Sequence, residues 1–432
     1  MTVIGLDIGT TSLSAAVIDA GDRSSIVTQT RPGPGFLPSD RPWERVQSAA
    51  SIVSEAKGVL DALIDRYAPS AIGLSGQMHG YVPVDGAGQA VGPLYTWQDA
   101  RAGLTEDGPS VSDALSQMMR APVAPGYGLA TAVWNARHGV DRDMAGMATI
   151  GAYVGMALTG RGEPLLHVSD AASLGGWDLA GRGFEPAAAR ACHALPRAID
   201  GFAWLGTYRG IPVSVSLGDN QAAVLGATGG DPRCVVVNIG TGSQVCSISD
   251  TLIEGDFETR PYVGGRWLLT QCGLCGGRAY ALFERFVRAC AALAGADADR
   301  PLYDKLNELA MMTADDGLEA DTRFSGTRAD PSLRGCYRGI DENNLTPGHL
   351  ARATLRGIVN EMKAGYDAIE ARLDARPARL IGSGNAVRKN AAMRSILSET
   401  FGLTLTLGPC EEDAAYGAAL FALGGLETSS PD

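Results

Sequence analysis

The chain has 432 residues, 45% hydrophobic, 19% charged and 6% aromatic, the balance of an ordinary folded protein, which excludes disorder as its main theme. Its 36 basic and 48 acidic side chains leave a net charge of −12, which repels nucleic acid and anionic membrane surfaces and excludes both as partners. Glycine, 56 of the 432 residues, is roughly twice its usual ~7% share, which points to backbone-lined ligand loops, and the length favours more than one domain.

Met1 runs straight into a strand-like segment that carries Asp7, so no signal peptide is read and the cytoplasm is the expected compartment. Residues 3–12 read VIGLDIGTTS, and residues 234–243 read CVVVNIGTGS. A constant offset of 231 places Asp7 on Asn238, Gly9 on Gly240, Thr10 on Thr241 and Ser12 on Ser243. Each copy lies between two apolar strand-like runs and reads as a hairpin, so the chain is expected to hold two duplicated domains facing one ligand. Glycine lets the backbone approach closely at such a turn, and N–H groups and hydroxyls then converge on a small volume that suits a polyphosphate. The candidates are Gly9, Thr10, Thr11 and Ser12 in the first copy and Gly240, Thr241 and Gly242 in the second.

Further along, Ser70–Ser75 reads as a strand that runs into the polar loop Ser75-Gly-Gln-Met-His-Gly80; a second polar loop is Thr96-Trp-Gln-Asp-Ala-Arg101. Amide, imidazole and carboxylate groups hydrogen-bond hydroxyls while indole covers a carbon face, so this set suits a polyol. His79 is either a ligand contact or a satisfied structural histidine. Pro212–Leu217 reads as a strand followed by Gly218-Asp219-Asn220 and the helical Gln221–Ala227. Asp219 at that strand end is either a general base or an N-cap of the helix. Gly, Pro and charge mark the domain boundary at 227–233, giving domains 1–229 and 230–432.

In the second half, Cys272 and Cys275 have no second pair to complete a zinc site, so the eight cysteines read as buried small hydrophobes. Leu355, Ile358, Met362, Tyr366, Ile369 and Leu373 form the stripe of an amphipathic helix, followed by a strand at 378–381 and the loop Gly382–Asn385. The charge-free stretch 414–426 is 13 residues long, short of the ~20 a membrane span needs.

Together these motifs resemble the FGGY family of carbohydrate kinases. GLDIGTTS is similar to the family's first phosphate loop, SGQMHG and TWQDAR to its sugar loops, LGDN to its catalytic-base loop, NIGTGS to its second phosphate loop and IGSGNAVRKN to its adenosine loop. The resemblance spans nearly the whole chain. It implies an α/β fold of duplicated ribonuclease-H-like (actin/hexokinase-type) domains, with ATP and sugar in the interdomain cleft. By the same resemblance Asp219 is the base and Asp7 organises magnesium, through water. Gln77, Met78, His79, Trp97, Asp99 and Asn220 are implied sugar contacts, and Gly277, Gly384, Asn385 and Asn390 are placed near adenosine. The implied cofactors are ATP and Mg2+, the implied partner a small ketose. Residues 126–134 lack the lysine usual in xylulokinases and are similar to the sedoheptulokinase pattern, as are 169–173 and 355–359. That branch implies sedoheptulose as substrate; a xylulokinase or other ketose kinase is the alternative, and a non-catalytic actin-like module the third reading.

Overall fold

In the computed structural model, which describes residues 1–429 apart from 107, 298, 327–329 and 331, the chain forms two compact units. Unit 1 comprises residues 1–230, 260–267 and 409–432, and unit 2 residues 231–259 and 268–408. A cut near 229/230 is therefore one crossing among several. There the helix Asp219–Thr228 ends at Gly229, with φ of 63°, and Gly230 follows at 84°. Glycine adopts this left-handed backbone at little cost.

The sheet of unit 1 contains β1 (Thr2–Ile8), β2 (Ser12–Asp19), β3 (Ser25–Pro32), β4 (Ala71–Gly76), β5 (Trp204–Tyr208) and β6 (Ile211–Gly218), in the order β5-β6-β4-β1-β2-β3. The first three pair antiparallel, whereas β4 runs parallel to β1 and β6 parallel to β4. Unit 2 repeats the plan with β7 (Cys234–Ile239), β8 (Gly242–Ser249), β9 (Trp267–Cys275), β10 (Arg379–Ser383) and β11 (Leu405–Leu407), ordered β9-β8-β7-β10-β11. Again the hairpin is antiparallel, β10 lies parallel to its first strand and β11 parallel to β10. The motif duplication read from the sequence is a duplication of sheet topology, as expected for this fold class.

Continuous apolar strands need cover on both faces. Along β1, Ile4, Leu6 and Ile8 join a core with Ile52, Ala56 and Leu60 of the helix Ala49–Tyr67, while Val3 joins Ala415, Ala419 and Leu423 on the other side. The charge-free stretch at 414–426 is thus the inner part of a helix, Asp413–Ser429, laid on the sheet of unit 1. Its small residues have a steric reason. A Cβ added at Gly5 would stand 1.8 Å from the Ala415 carbonyl oxygen, one at Gly73 1.9 Å from that of Ala418, and one at Gly417 1.8 Å from that of Ala222. Backbone lies on backbone at these points. The C-terminal segment consequently belongs to unit 1, where a contiguous second domain over 230–432 had been expected.

In unit 2 the amphipathic stripe lies on the helix Pro347–Glu370, capped by the Thr346 side chain. Leu355, Ile358, Met362, Tyr366 and Ile369 are all buried. Leu373, expected in the same stripe, lies beyond the helix end. Of the cysteines, four are buried, but Cys272, Cys275 and Cys336 are half-buried and Cys290 is exposed, which corrects the uniform burial expected. Cys272 and Cys275 lie in the last part of β9, which Gly276 alone separates from the helix Gly277–Leu293. Among the described residues, no helix is long and apolar enough to cross a membrane.

Candidate active site

The hairpin turns of the two sheets carry equivalent residues in equivalent places. In unit 1, β1 and β4 bring Asp7 opposite Ser75, whose hydroxyl donates to Asp7 Oδ1 at 2.8 Å. In unit 2, β7 and β10 bring Asn238 opposite Ser383, and the amide donates to the hydroxyl at 3.2 Å. The same strand-crossing bond is therefore built twice, once with a charge and once without. Neither serine was singled out from the sequence, because their relevance depends on parallel pairing across some 70 and 145 residues of chain.

Asp219 opens the helix that follows β6, one residue past the N-cap Gly218, and its Oδ1 accepts the Asn220 N–H at 2.7 Å. It is thus not the cap itself. Burial pushes its carboxyl up to about 6, while the Asn220 N–H and the charge of Arg260 pull the other way. Asp7 is pushed up to about 7, first by burial and then by the negative charge of Asp219, with Ser75 opposing. Asp170, wholly buried, rises to about 8 for the same first reason, despite a bond from Thr149 at 3.0 Å, and also feels Asp219. Glu412 also adds negative charge near Asp7, although among the described residues no group of three or more His, Cys, Asp or Glu side chains is placed to hold a metal ion.

The two polar loops around Gln77 and Trp97 are locked together by side chains. Trp97, 46% exposed, donates from Nε1 to Thr10 Oγ1 at 3.0 Å; Thr10 donates on to Gln77 Oε1 at 3.1 Å. Gln77 Nε2 in turn bonds Gln47, which ties back to the Thr10 carbonyl. Gln77 is only 2% exposed and so orients Thr10 and Trp97, where a direct sugar contact had been expected. Met78 is buried beneath the base loop: a Cβ at Gly218 would come within 2.8 Å of its sulfur. The Asp99 carboxylate has no capacity left for a hydroxyl. It accepts the Arg45 and Arg101 N–H groups and the Arg101 guanidinium through Nε and Nη2. That role is structural, since a buried arginine must be paired on all sides, and Asn135 and Glu44 complete the set. Asn220 is also buried.

His79 is held in a left-handed conformation, φ 73°, rare for a residue with a bulky side chain. Its Nδ1 donates to the Ser173 carbonyl at 2.8 Å, which leaves Nε2 as the acceptor of the neutral ring. Tyr127 stacks on the imidazole with ring centroids 4.6 Å apart. Gly126 and Gly128 permit this, because a Cβ at Gly126 would meet the Trp97 carbonyl at 1.9 Å and the Gly128 N–H bonds the His79 carbonyl at 2.7 Å. Residues 126–134, noted in sequence for a missing lysine, thus pack against both sugar loops.

In unit 2 the turn Gly240-Thr241-Gly242 is seated on the start of the helix Gly277–Leu293, whose Gly277 and Arg278 N–H groups bond the Gly240 and Thr241 carbonyls. A Cβ at Gly276 would strike Gly242 at 2.4 Å, and one at Gly384, φ 83°, would strike the Ile239 carbonyl at 2.6 Å. The loop at Gly384 and the turn Gly240–Gly242 therefore adjoin. Beside them opens a cavity of about 350 Å³ lined by Thr241, Gly242, Cys275, Gly276, Arg278 and Arg285, among others. Glycine backbone with two guanidinium groups fits a polyphosphate. Asn385 is exposed at the start of the helix Asn385–Lys389, whereas Asn390 is an N-cap: it accepts the Met393 N–H and donates to Asn307. Arg278 and Arg285 escaped the sequence reading, since a lone arginine on a helix is ordinarily a solvated one.

Residues 2–226 match the N-terminal domain of the FGGY family of carbohydrate kinases, and residues 235–425 match its C-terminal domain. The chain belongs to that family. This FGGY kinase is 27% identical to the sedoheptulokinase of Mus musculus, across 97% of both chains. It is 26% identical to the xylulose kinase of Klebsiella pneumoniae, across 93% of this chain and 85% of the other. The xylulose kinase structure from Rhodospirillum rubrum shares the kinase's fold, with a TM-score of 0.84 at 24% identity over 100% of this chain and 92% of that one. The protein is accordingly a phosphotransferase that acts on a sugar.

Proposed function

We propose that this kinase phosphorylates the terminal hydroxyl of a ketose, sedoheptulose in preference to xylulose, using ATP and Mg2+. Bound ATP supplies the phosphoryl group and the cation neutralises charge on it. Asp219 accepts the proton of the acceptor hydroxyl, His79 Nε2 and the Trp97 indole hold the sugar, and Asp7 holds the cation's water. Thr241, Gly242, Arg278 and Gly384 meet the nucleotide. The observation that carries this reading is the placement of Asp219: it follows a β-strand at the start of a helix, in the same unit as the His79 loop, with a carboxyl at about 6 that is both ionised and basic at neutral pH.

The seven-carbon preference is supported by the likeness of residues 126–134 to the sedoheptulokinase pattern, by their packing on both sugar loops and by the name of the mouse relative. Two further hydroxyl-bearing carbons engage polar groups that a shorter sugar leaves unpaired, and unpaired buried groups are costly. A sugar panel with coupled ADP detection tests it: kcat/KM for sedoheptulose exceeds that for xylulose. A higher value for xylulose moves the protein to the five-carbon branch and leaves its kinase activity standing.

A further inference from the structure

The short helical stretch from Val168 to Leu174 has no part in the chemistry proposed so far, yet its buried hydroxyls reach two functional loops. Ser173 Oγ accepts the backbone N–H of His79 at 2.9 Å and donates to the Asp170 carbonyl at 2.7 Å, while the Ser173 carbonyl takes the His79 ring. Four residues earlier, Ser169 Oγ accepts the N–H of Gly218, the residue before Asp219, at 3.1 Å. Ser169 is itself held by His167, whose Nδ1 accepts the Ser169 N–H and lies 2.8 Å from its hydroxyl. An Nδ1 that accepts a backbone N–H carries no proton, so the Ser169 hydroxyl donates to it and turns its lone pairs to Gly218. Both serines are buried, at 1% and 6% exposure.

We propose that Ser169 and Ser173 are positioning residues: one rigid turn holds the base loop and the sugar loop at a fixed separation, Ser169 acting on Asp219 and Ser173 on His79. The physical reasons are two. His79 occupies a backbone conformation that persists only when its surroundings over-determine it, and three bonds to Ser173 and Gly128 do so. In addition, a general base works only within ~2.6–3.2 Å of the proton it takes, so a small displacement of Gly218 is felt in turnover.

The inference rests on the kinase reading, and one set of measurements separates the two. With the best ketose of the panel, Ser169→Ala lowers kcat roughly ten- to a hundredfold and leaves the sugar and ATP KM values within about threefold. Ser173→Ala instead raises the sugar KM, with a smaller effect on kcat. Ser169→Thr, which keeps the hydroxyl, restores turnover. In an Asp219→Asn background Ser169→Ala has no further effect, because it acts through the base. A Ser169→Ala enzyme that folds and turns over like wild type, or losses that multiply in the double variant, overturn the proposal. If Ser169→Ala does not fold, Ser169→Cys offers a similar shape with a weaker sulfur acceptor; reduced kcat supports the proposal and unchanged kcat overturns it. A wild-type protein without sugar-dependent ADP release removes the kinase reading, and this inference falls with it.

Discussion

Asp219 and Asp7 are raised into the range where a carboxylate can act near neutrality, and the first cause is the same for both: protein packed around a charge, to which Asp219 adds its own negative charge at Asp7. A protonated Asp219 cannot accept a proton, so kcat/KM rises with pH through about 6 and levels above it. A limb near ~4, the ordinary carboxylate value, contradicts the raised base. Asp219→Asn preserves the shape and removes the acceptor, and the expected loss in kcat is ~10²–10⁴-fold with ATP binding retained. Near wild-type turnover at saturating sugar would leave Asp219 as a structural residue at a helix start. The two hairpins make a second comparison. Asp7→Ala removes a charge from the proposed cation site and is expected to weaken magnesium-dependent turnover sharply, whereas Asn238→Ala removes only the amide bonded to Ser383. Magnesium titrations of the two variants check the asymmetry; equal losses go against it. The places of Asp7, Asp219 and His79 at the ends of strands were legible in the sequence, because local pattern marks the strands that lead to them. The different duties of Gln77 and Asp99 were not, since which hydrogen-bond partners saturate a side chain depends on residues as far away as Gln47 and Arg45.

At the scale of elements, the helix Asp413–Ser429 shows how composition serves contact. Its glycines are not equivalent. A Cβ at Gly417 would stand 1.8 Å from the Ala222 carbonyl, while at Gly424 nothing lies within 4 Å. Gly417→Ala therefore forces the helix off its neighbour and costs at least the ~1–3 kcal/mol of an overpacked core. Gly424→Ala relieves the helix of a poor former and gains up to ~0.5–1 kcal/mol. Urea denaturation midpoints of the two variants read the difference, and a shift of the same sign in both would refute the backbone-on-backbone packing. A helix was hard to place here from sequence because Ala and Gly carry little periodic signal, in contrast to the stripe Leu355–Ile369, whose face was plain.

For the molecule as a whole, unit 1 is completed by chain from beyond residue 408. Residues 1–229 alone leave Val3, Ala16, Ile18 and Ala71 without the cover that Ala415, Ala419 and Leu423 provide. Expressed as a fragment they are expected to aggregate, and supplying residues 409–432 on a linker to restore solubility, as read by size-exclusion chromatography. A soluble, cooperatively unfolding 1–229 fragment would show that the C-terminal helix is dispensable to unit 1.

By itself the sequence determined the duplication, the α/β class, the family resemblance and the identity of the chemical groups, because each is written in local words: two Gly-Thr turns, apolar strand runs, an aspartate after a strand. Tertiary structure alone decided which of those groups are spent on one another. Ser75 reaches Asp7 only through parallel strand pairing, Ser169 and Ser173 meet the base and sugar loops only through packing, and the last helix joins the first unit because bare backbone fits bare backbone there. Such contacts join residues distant in sequence, and no single stretch of chain encodes the partner that its side chain will find.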